Sequence, residues 1–149
     1  MKEMLPYLFF SRIAERSYSK PRGYAGDFMT IEWIYQNKPE GQGPLGALMD
    51  QAFLDLSCAQ AVRNRRGLIT EQIERACQLR PEGPIEITSL ACGPAREVYD
   101  HYQAHGIESR VNSHLIDIDQ QALEFVGQWR EEMGLESKID LQRLNLVYL

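Results

Sequence analysis

Apolar residues recur at helical spacing through the first 80 residues of the chain. Asp27 precedes one of these apolar stripes and is a predicted N-cap, because its short carboxylate can accept a hydrogen bond from the first turn of a helix. Glycine and proline near Pro21, and between Asn37 and Pro44, predict loops. The pattern therefore predicts four helices, over residues 5–18, 28–35, 45–56 and 59–79.

The pattern changes after Pro84. Short apolar runs at residues 85–91, 111–118 and 139–146 predict strands, and helical stripes lie between them at residues 96–105 and 119–133. Strands that alternate with helices are typical of a parallel sheet with crossover helices. We therefore predict an α/β protein in which residues 1–80 form a helical N-terminal cap or substrate region and residues 81–149 form the sheet.

Composition and charge exclude several classes of protein. The chain is 44% hydrophobic and 25% charged, and no apolar run approaches the roughly 20 residues that span a bilayer. Three widely spaced cysteines suit a reducing compartment better than a disulfide framework, so we expect a cytoplasmic protein. Residues 81–149 hold 5 Lys/Arg and 12 Asp/Glu, and this acidic balance disfavours nucleic acid as a partner.

The turn after the first predicted strand and the end of the second strand form a candidate nucleoside site. Small residues from Ala91 to Ala95 would let a ligand approach the backbone. Asp117 stands 24 positions after Gly93, at the end of the second strand, where a carboxylate can bind both ribose hydroxyls. A tight turn and a solvated aspartate would give the same pattern without any ligand.

The turn favours S-adenosylmethionine over a dinucleotide. A pyrophosphate requires several backbone N–H donors at a helix start, whereas Pro94 has none and Val98 fills the third small position of the dinucleotide fingerprint. An NAD-type oxidoreductase and a non-catalytic binding or interaction module remain as alternatives.

The segment from Ile87 to Ala95 resembles the first motif of class I S-adenosylmethionine-dependent methyltransferases. The resemblance implies a Rossmann-like sheet and an enzyme that transfers a methyl group. It also implies that the turn passes the methionine end of the cofactor, that the acid holds the ribose and that later residues contact adenine. Ser89 replaces the usual acid of the first strand, and alanines replace two usual glycines. The implied cofactor-binding residues are Ser89, Ala91, Cys92, Gly93, Asp117, Ile118 and Asn145.

The N-terminal region resembles a bacterial methyltransferase group linked to making the extracellular factor 3-hydroxypalmitic acid methyl ester. The similar segments are residues 20–27 (KPRGYAGD), 30–35 and 61–67. This resemblance implies a small acceptor, with a fatty-acid carboxylate as a candidate. Such an acceptor needs no general base, so we assign no catalytic residue.

Arginines offer candidate contacts to a carboxylate of the cofactor or acceptor. Arg63, Arg65 and Arg66 cluster within four positions, and could either clamp a carboxylate or form a solvated helix face. Arg22 and Tyr24 could line the entrance to the site. Glu97, His101 and His105 recur every four residues, but no third strong ligand is evident and we predict no metal site.

The class I sheet implied by the resemblance has seven strands, and this chain supplies three. We therefore expect a truncated sheet with half of the cofactor site and an exposed edge at the first strand. Such an edge predicts self-association. We also expect the 149-residue chain alone to turn over no substrate.

Overall fold

The computed structural model describes residues 5–148. The chain forms two compact units, which meet in sequence between Arg65 and Arg66. The predicted domain boundary at residues 80 and 81 lies later, in the loop after a long helix, and stays a prediction. The elements are α1 (Leu5–Leu8), α2 (Arg12–Ser19), α3 (Phe28–Gln36), α4 (Gly43–Leu54), α5 (Ser57–Leu79), β1 (Ile85–Leu90), α6 (Arg96–His105), β2 (Val111–Asp117), α7 (Gln120–Glu132) and β3 (Ile139–Arg143).

Helix caps define the start of the first unit. Asp27 caps α3 by accepting a hydrogen bond from the backbone N–H of Thr30 at 3.0 Å, which confirms the predicted N-cap. Ser11 caps α2 by accepting one from the N–H of Ala14 at 3.0 Å. The prediction of one helix over residues 5–18 is therefore wrong, because the chain must leave helical geometry at a cap residue.

A buried carboxylate orients α4. Asp50 is 1% exposed and accepts hydrogen bonds from the hydroxyl of Ser11 at 2.6 Å and from the backbone N–H of Glu40 at 3.0 Å. These contacts turn Asp50 inward together with Gly46 and Leu54. The leucines of the predicted apolar stripe consequently point outward, and Leu48 is 68% exposed.

The second unit contains a three-stranded parallel sheet in the order β1-β2-β3. Its core joins strand residues such as Leu115 and Ile139 to Tyr102 of α6 and Trp129 of α7. The predicted α/β fold with a partial Rossmann-like sheet is confirmed. β3 ends at Arg143 rather than at the predicted Leu146, because β2, with which it pairs, ends at Asp117, the partner of Arg143.

Within the described residues, every helix is too short or too polar to cross a bilayer.

Candidate functional site

The turn between β1 and α6 adopts an unusual backbone conformation. Ala91, Gly93 and Ala95 have φ angles of 53°, 54° and 48°, in the left-handed region. That region costs a residue with a Cβ about 1–2 kcal/mol. Strain of this kind persists only where the surrounding structure enforces it, and it clusters at functional sites. The turn is therefore a candidate ligand site.

Asp117 fixes this turn from the end of β2. Its side chain accepts hydrogen bonds from the backbone N–H of Gly93 at 2.8 Å and from that of Asp119 at 2.9 Å. The residue is 7% exposed. The two residues that the sequence singled out, Gly93 and Asp117, are thus in direct contact at the carboxyl ends of the strands, where open α/β sheets bind ligands.

Three backbone donors of the turn, those of Cys92, Gly93 and Ala95, are already used within the protein. The N–H of Cys92 donates to the carbonyl of Ile116 at 3.0 Å, and the N–H of Ala95 donates to the carbonyl of Cys92 at 3.0 Å. Gly93 donates to Asp117, and Pro94 has no N–H. These three donors are consequently not free for a pyrophosphate, and the carboxylate of Asp117 beside Gly93 would repel a phosphate placed there.

Cys92 is a core residue of this turn. It is 6% exposed and belongs to the main apolar cluster of the sheet. Burial, and then the negative charges of Asp117 and Glu97, raise the pKa of the thiol to about 12. A thiol that stays protonated at neutral pH is not a nucleophile.

The other predicted cofactor residues lie in the same unit, along the strands and just after them. Ser89 is half-buried in β1 and pairs in register with Leu115. Ile118 is 53% exposed directly after Asp117. Asn145 is half-buried, and its side-chain oxygen accepts a hydrogen bond from the N–H of Val147 at 3.0 Å.

The arginines of the first unit contact groups of their own unit. Arg63 donates to the carbonyl of Leu54 at 2.8 Å, and Arg65 donates to the hydroxyl of Tyr35 at 3.2 Å. Arg22 lies 3.6 Å from the carboxylate of Asp27, and its guanidinium stacks over the ring of Phe28. Tyr24 is 48% exposed. These partners give the three arginines structural roles, and the contacts of all four residues with cofactor or acceptor stay predictions.

Arg66 belongs to the second unit and forms a two-pronged ion pair. Its guanidinium donates to both carboxylate oxygens of Asp100, at 2.6 and 2.5 Å. The pair connects α5 to α6, with side-chain exposures of 28% and 26%. A carboxylate from a ligand would have to compete with Asp100 for this guanidinium.

One cluster of polar residues in the second unit was not predicted from the sequence. Glu74 of α5 meets both histidines of α6, with its Oε1 2.5 Å from Nδ1 of His101 and 3.1 Å from Nε2 of His105. Burial opposes ionisation of Glu74, but the hydrogen bonds and charges of the two imidazoles outweigh it and lower its pKa. The histidine spacing signalled this cluster; its acidic member, however, comes from another helix, 27 positions before His101.

A family model described as "putative methyltransferase" matches residues 22–145. The chain belongs to this family. The match covers most of both units, including the strained turn and Asp117. A search of curated proteins finds no match.

Two solved structures are similar to this one. A protein from Bordetella parapertussis, described as a possible exported protein, superposes with a TM-score of 0.68 at 23% identity, over 96% of this chain and 44% of that chain. This chain therefore spans less than half the length of that relative, and the likeness shows the fold. The [4+2]-cyclase SpnF gives a TM-score of 0.43 at 15% identity, over 61% of this chain and 30% of its own.

Proposed function

We propose that this methyltransferase chain carries part of an S-adenosylmethionine site and serves methyl transfer to a small acceptor. The observation that carries the proposal is the state of the β1–α6 turn. Three of its backbone donors are occupied, one of them by the carboxylate of Asp117, which suits a ligand with hydroxyls and a cationic sulfonium better than one with phosphates.

The residues of the site fit such a cofactor. Each oxygen of Asp117 accepts one backbone hydrogen bond, and a carboxylate has about four acceptor positions, so capacity remains for two ribose hydroxyls. Ala91 and Gly93 present little side chain beside it. Ile118 offers an exposed apolar surface for adenine, and Asn145 a side-chain amide.

When bound, S-adenosylmethionine supplies an electrophilic methyl group. The residues of this chain would bind and orient the cofactor, and they hold no proton that the transfer needs if the acceptor is a carboxylate. Positioning and exclusion of water would then account for the catalysis.

A fatty-acid carboxylate is the acceptor that we propose. The support is the N-terminal sequence resemblance and an apolar cavity of about 300 Å³ within the first unit, whose lining suits an acyl chain. That lining includes Ile13, Ile34, Phe53, Leu54, Ala59 and Val62. A cytoplasmic location is part of the proposal, since all three cysteines are unpaired.

Calorimetry with S-adenosylhomocysteine and NAD tests the cofactor. We expect S-adenosylhomocysteine to bind at least about tenfold more tightly, a difference of about 1.4 kcal/mol. Equal or tighter binding of NAD would overturn the proposal in favour of an oxidoreductase. Transfer of labelled methyl groups to fatty acids of several chain lengths, by the full-length protein, tests the acceptor. Binding without transfer to any acceptor would favour a non-catalytic module.

A further inference from the structure

A second cluster of polar residues lies in the second unit, away from the β1–α6 turn. Glu74, His101 and His105 each offer one ligand atom, and these atoms lie within 4.8 Å of one another. His101 is 2% exposed, whereas the side chain of His105 is 46% exposed, so the cluster opens to solvent on one side. His105 lies about 14 Å along α6 from Arg96, at about 1.5 Å per residue.

We propose that Glu74, His101 and His105 bind a divalent transition-metal ion of the Zn²⁺ class. Two imidazoles and one carboxylate are an established zinc ligand set, which leaves a fourth position for water. In a tetrahedral site with bonds near 2.1 Å, ligand atoms lie about 3.4 Å apart. The three ligand atoms of this cluster can reach a spacing of about 3.4 Å by side-chain movements alone, because the histidines are one helical turn apart and face the same carboxylate.

The hydrogen bonds of the cluster allow His101 to become a ligand while its ring stays neutral. In the metal-free arrangement, Nδ1–H of His101 and Nε2–H of His105 donate to Glu74. Nε2 of His101 lies 2.7 Å from the hydroxyl of Ser109, which can either donate or accept a hydrogen bond. A neutral His101 can therefore shift its proton to Nε2 and free Nδ1 for the ion, while Ser109 keeps the ring oriented.

The surrounding charges are compatible with a cation. Glu108 lies at the same pocket and adds a second carboxylate. Arg110 is also there, but its guanidinium donates to the carbonyls of Cys77, Arg80 and Gly83 at 2.7–3.0 Å. Cys77 lines the pocket one turn along α5 from Glu74, with a thiol whose pKa burial raises.

Metal titration of the untagged chain tests the site. His114→Gln is the background variant, because His114 is the third of only three histidines and contacts carboxylates of its own. We expect this variant to bind one Zn²⁺ by calorimetry and to give the visible absorption of tetrahedral Co²⁺. Zn²⁺ should also raise its melting temperature.

Variants at the ligands decide between this site and adventitious binding. In the His114→Gln background, Glu74→Gln and His105→Gln should each weaken binding at least about tenfold and abolish the Co²⁺ spectrum. Both side chains are partly exposed, so folding should survive. Glu71→Gln, an exposed position on the same helix, is the matched control and should bind as the background does. Absence of stoichiometric binding, or equal binding by all three variants, would overturn the proposal.

Discussion

Asp117 has a structural task that is independent of any ligand. Its carboxylate joins the turn after β1 to the start of α7 by accepting from Gly93 and Asp119. The same contacts hold the carboxylate in one orientation before a ligand arrives, which reduces the entropy cost of binding. A change at this residue should therefore affect both stability and affinity, and the two effects need separate measurements.

We expect Asp117→Ala to weaken binding of S-adenosylhomocysteine by about 1–3 kcal/mol, since cofactor hydroxyls would lose a charged acceptor. Calorimetry measures the affinity, and circular dichroism checks that the fold persists. Asp140→Asn is the control, because Asp140 is an exposed carboxylate on β3. Unchanged affinity in a folded Asp117→Ala protein would exclude Asp117 from the cofactor site.

Because the thiol of Cys92 is buried, the free energy of unfolding should decrease at alkaline pH. Its pKa in the folded protein is about 12, above the ordinary value of 9.0, so folding disfavours the thiolate. The resulting stability is fully present below about pH 9 and is lost as pH rises toward 12, at no more than about 1.4 kcal/mol per pH unit.

Urea unfolding at about pH 8 and about pH 10.5 measures this loss. We expect the free energy of unfolding to fall between these pH values by more in the parent than in Cys92→Ala. Tyr102, whose pKa burial also raises, titrates equally in both proteins and cancels from the comparison. An identical fall in the free energy of unfolding of the two proteins would show that the thiol ionises as freely in the folded state as in the unfolded state.

At the scale of elements, the sequence predicted what depends on local spacing. The strand and helix order of the second unit follows from apolar periodicity, and the contact of Gly93 with Asp117 follows from their positions at neighbouring strand ends. The inward face of α4 depends instead on a buried hydrogen bond between Ser11 and Asp50, 39 positions apart. Spacing alone cannot indicate such a partner.

The histidine cluster shows the same limit. The spacing of His101 and His105 was visible, but the nearest candidate acid along that helix was Glu97. The carboxylate that they contact is Glu74, on α5. Helix packing decides which acidic residue meets a helix face. Glu74 and His101 are 27 positions apart in sequence.

The ion pair of Arg66 with Asp100 tests whether this arginine is structural. We expect Arg66→Gln to lower the free energy of unfolding by about 1 kcal/mol, because a two-pronged, partly buried pair exceeds most surface pairs. A double-mutant cycle with Asp100→Asn should show coupling of similar size. Arg75→Gln, at an exposed position on the same helix, should have little effect. Zero coupling, together with a weaker affinity of Arg66→Gln for the cofactor, would favour the alternative in which Arg66 binds a ligand carboxylate.

At the scale of the whole molecule, the sheet has a strand partner on one edge of β1 in the described residues. β1 pairs with β2 along Ile85–Leu90, and in the described part of the chain β2 is its sole strand partner. Leu90 at its end is 59% exposed.

We propose that the 149-residue chain self-associates through the edge of β1 opposite β2, because a strand edge without a strand partner, next to the exposed side chain of Leu90, favours pairing with a second chain. Size-exclusion chromatography with light scattering, at several concentrations, should show a mass that rises with concentration. Leu90→Lys should shift the chain toward monomer, since a charge on an edge strand opposes such pairing. Leu68→Lys is the matched control, because Leu68 is also 59% exposed but lies on α5, and it should leave self-association unchanged. A monomer at every concentration, or equal effects of the two lysines, would show that the β1 edge is not the interface.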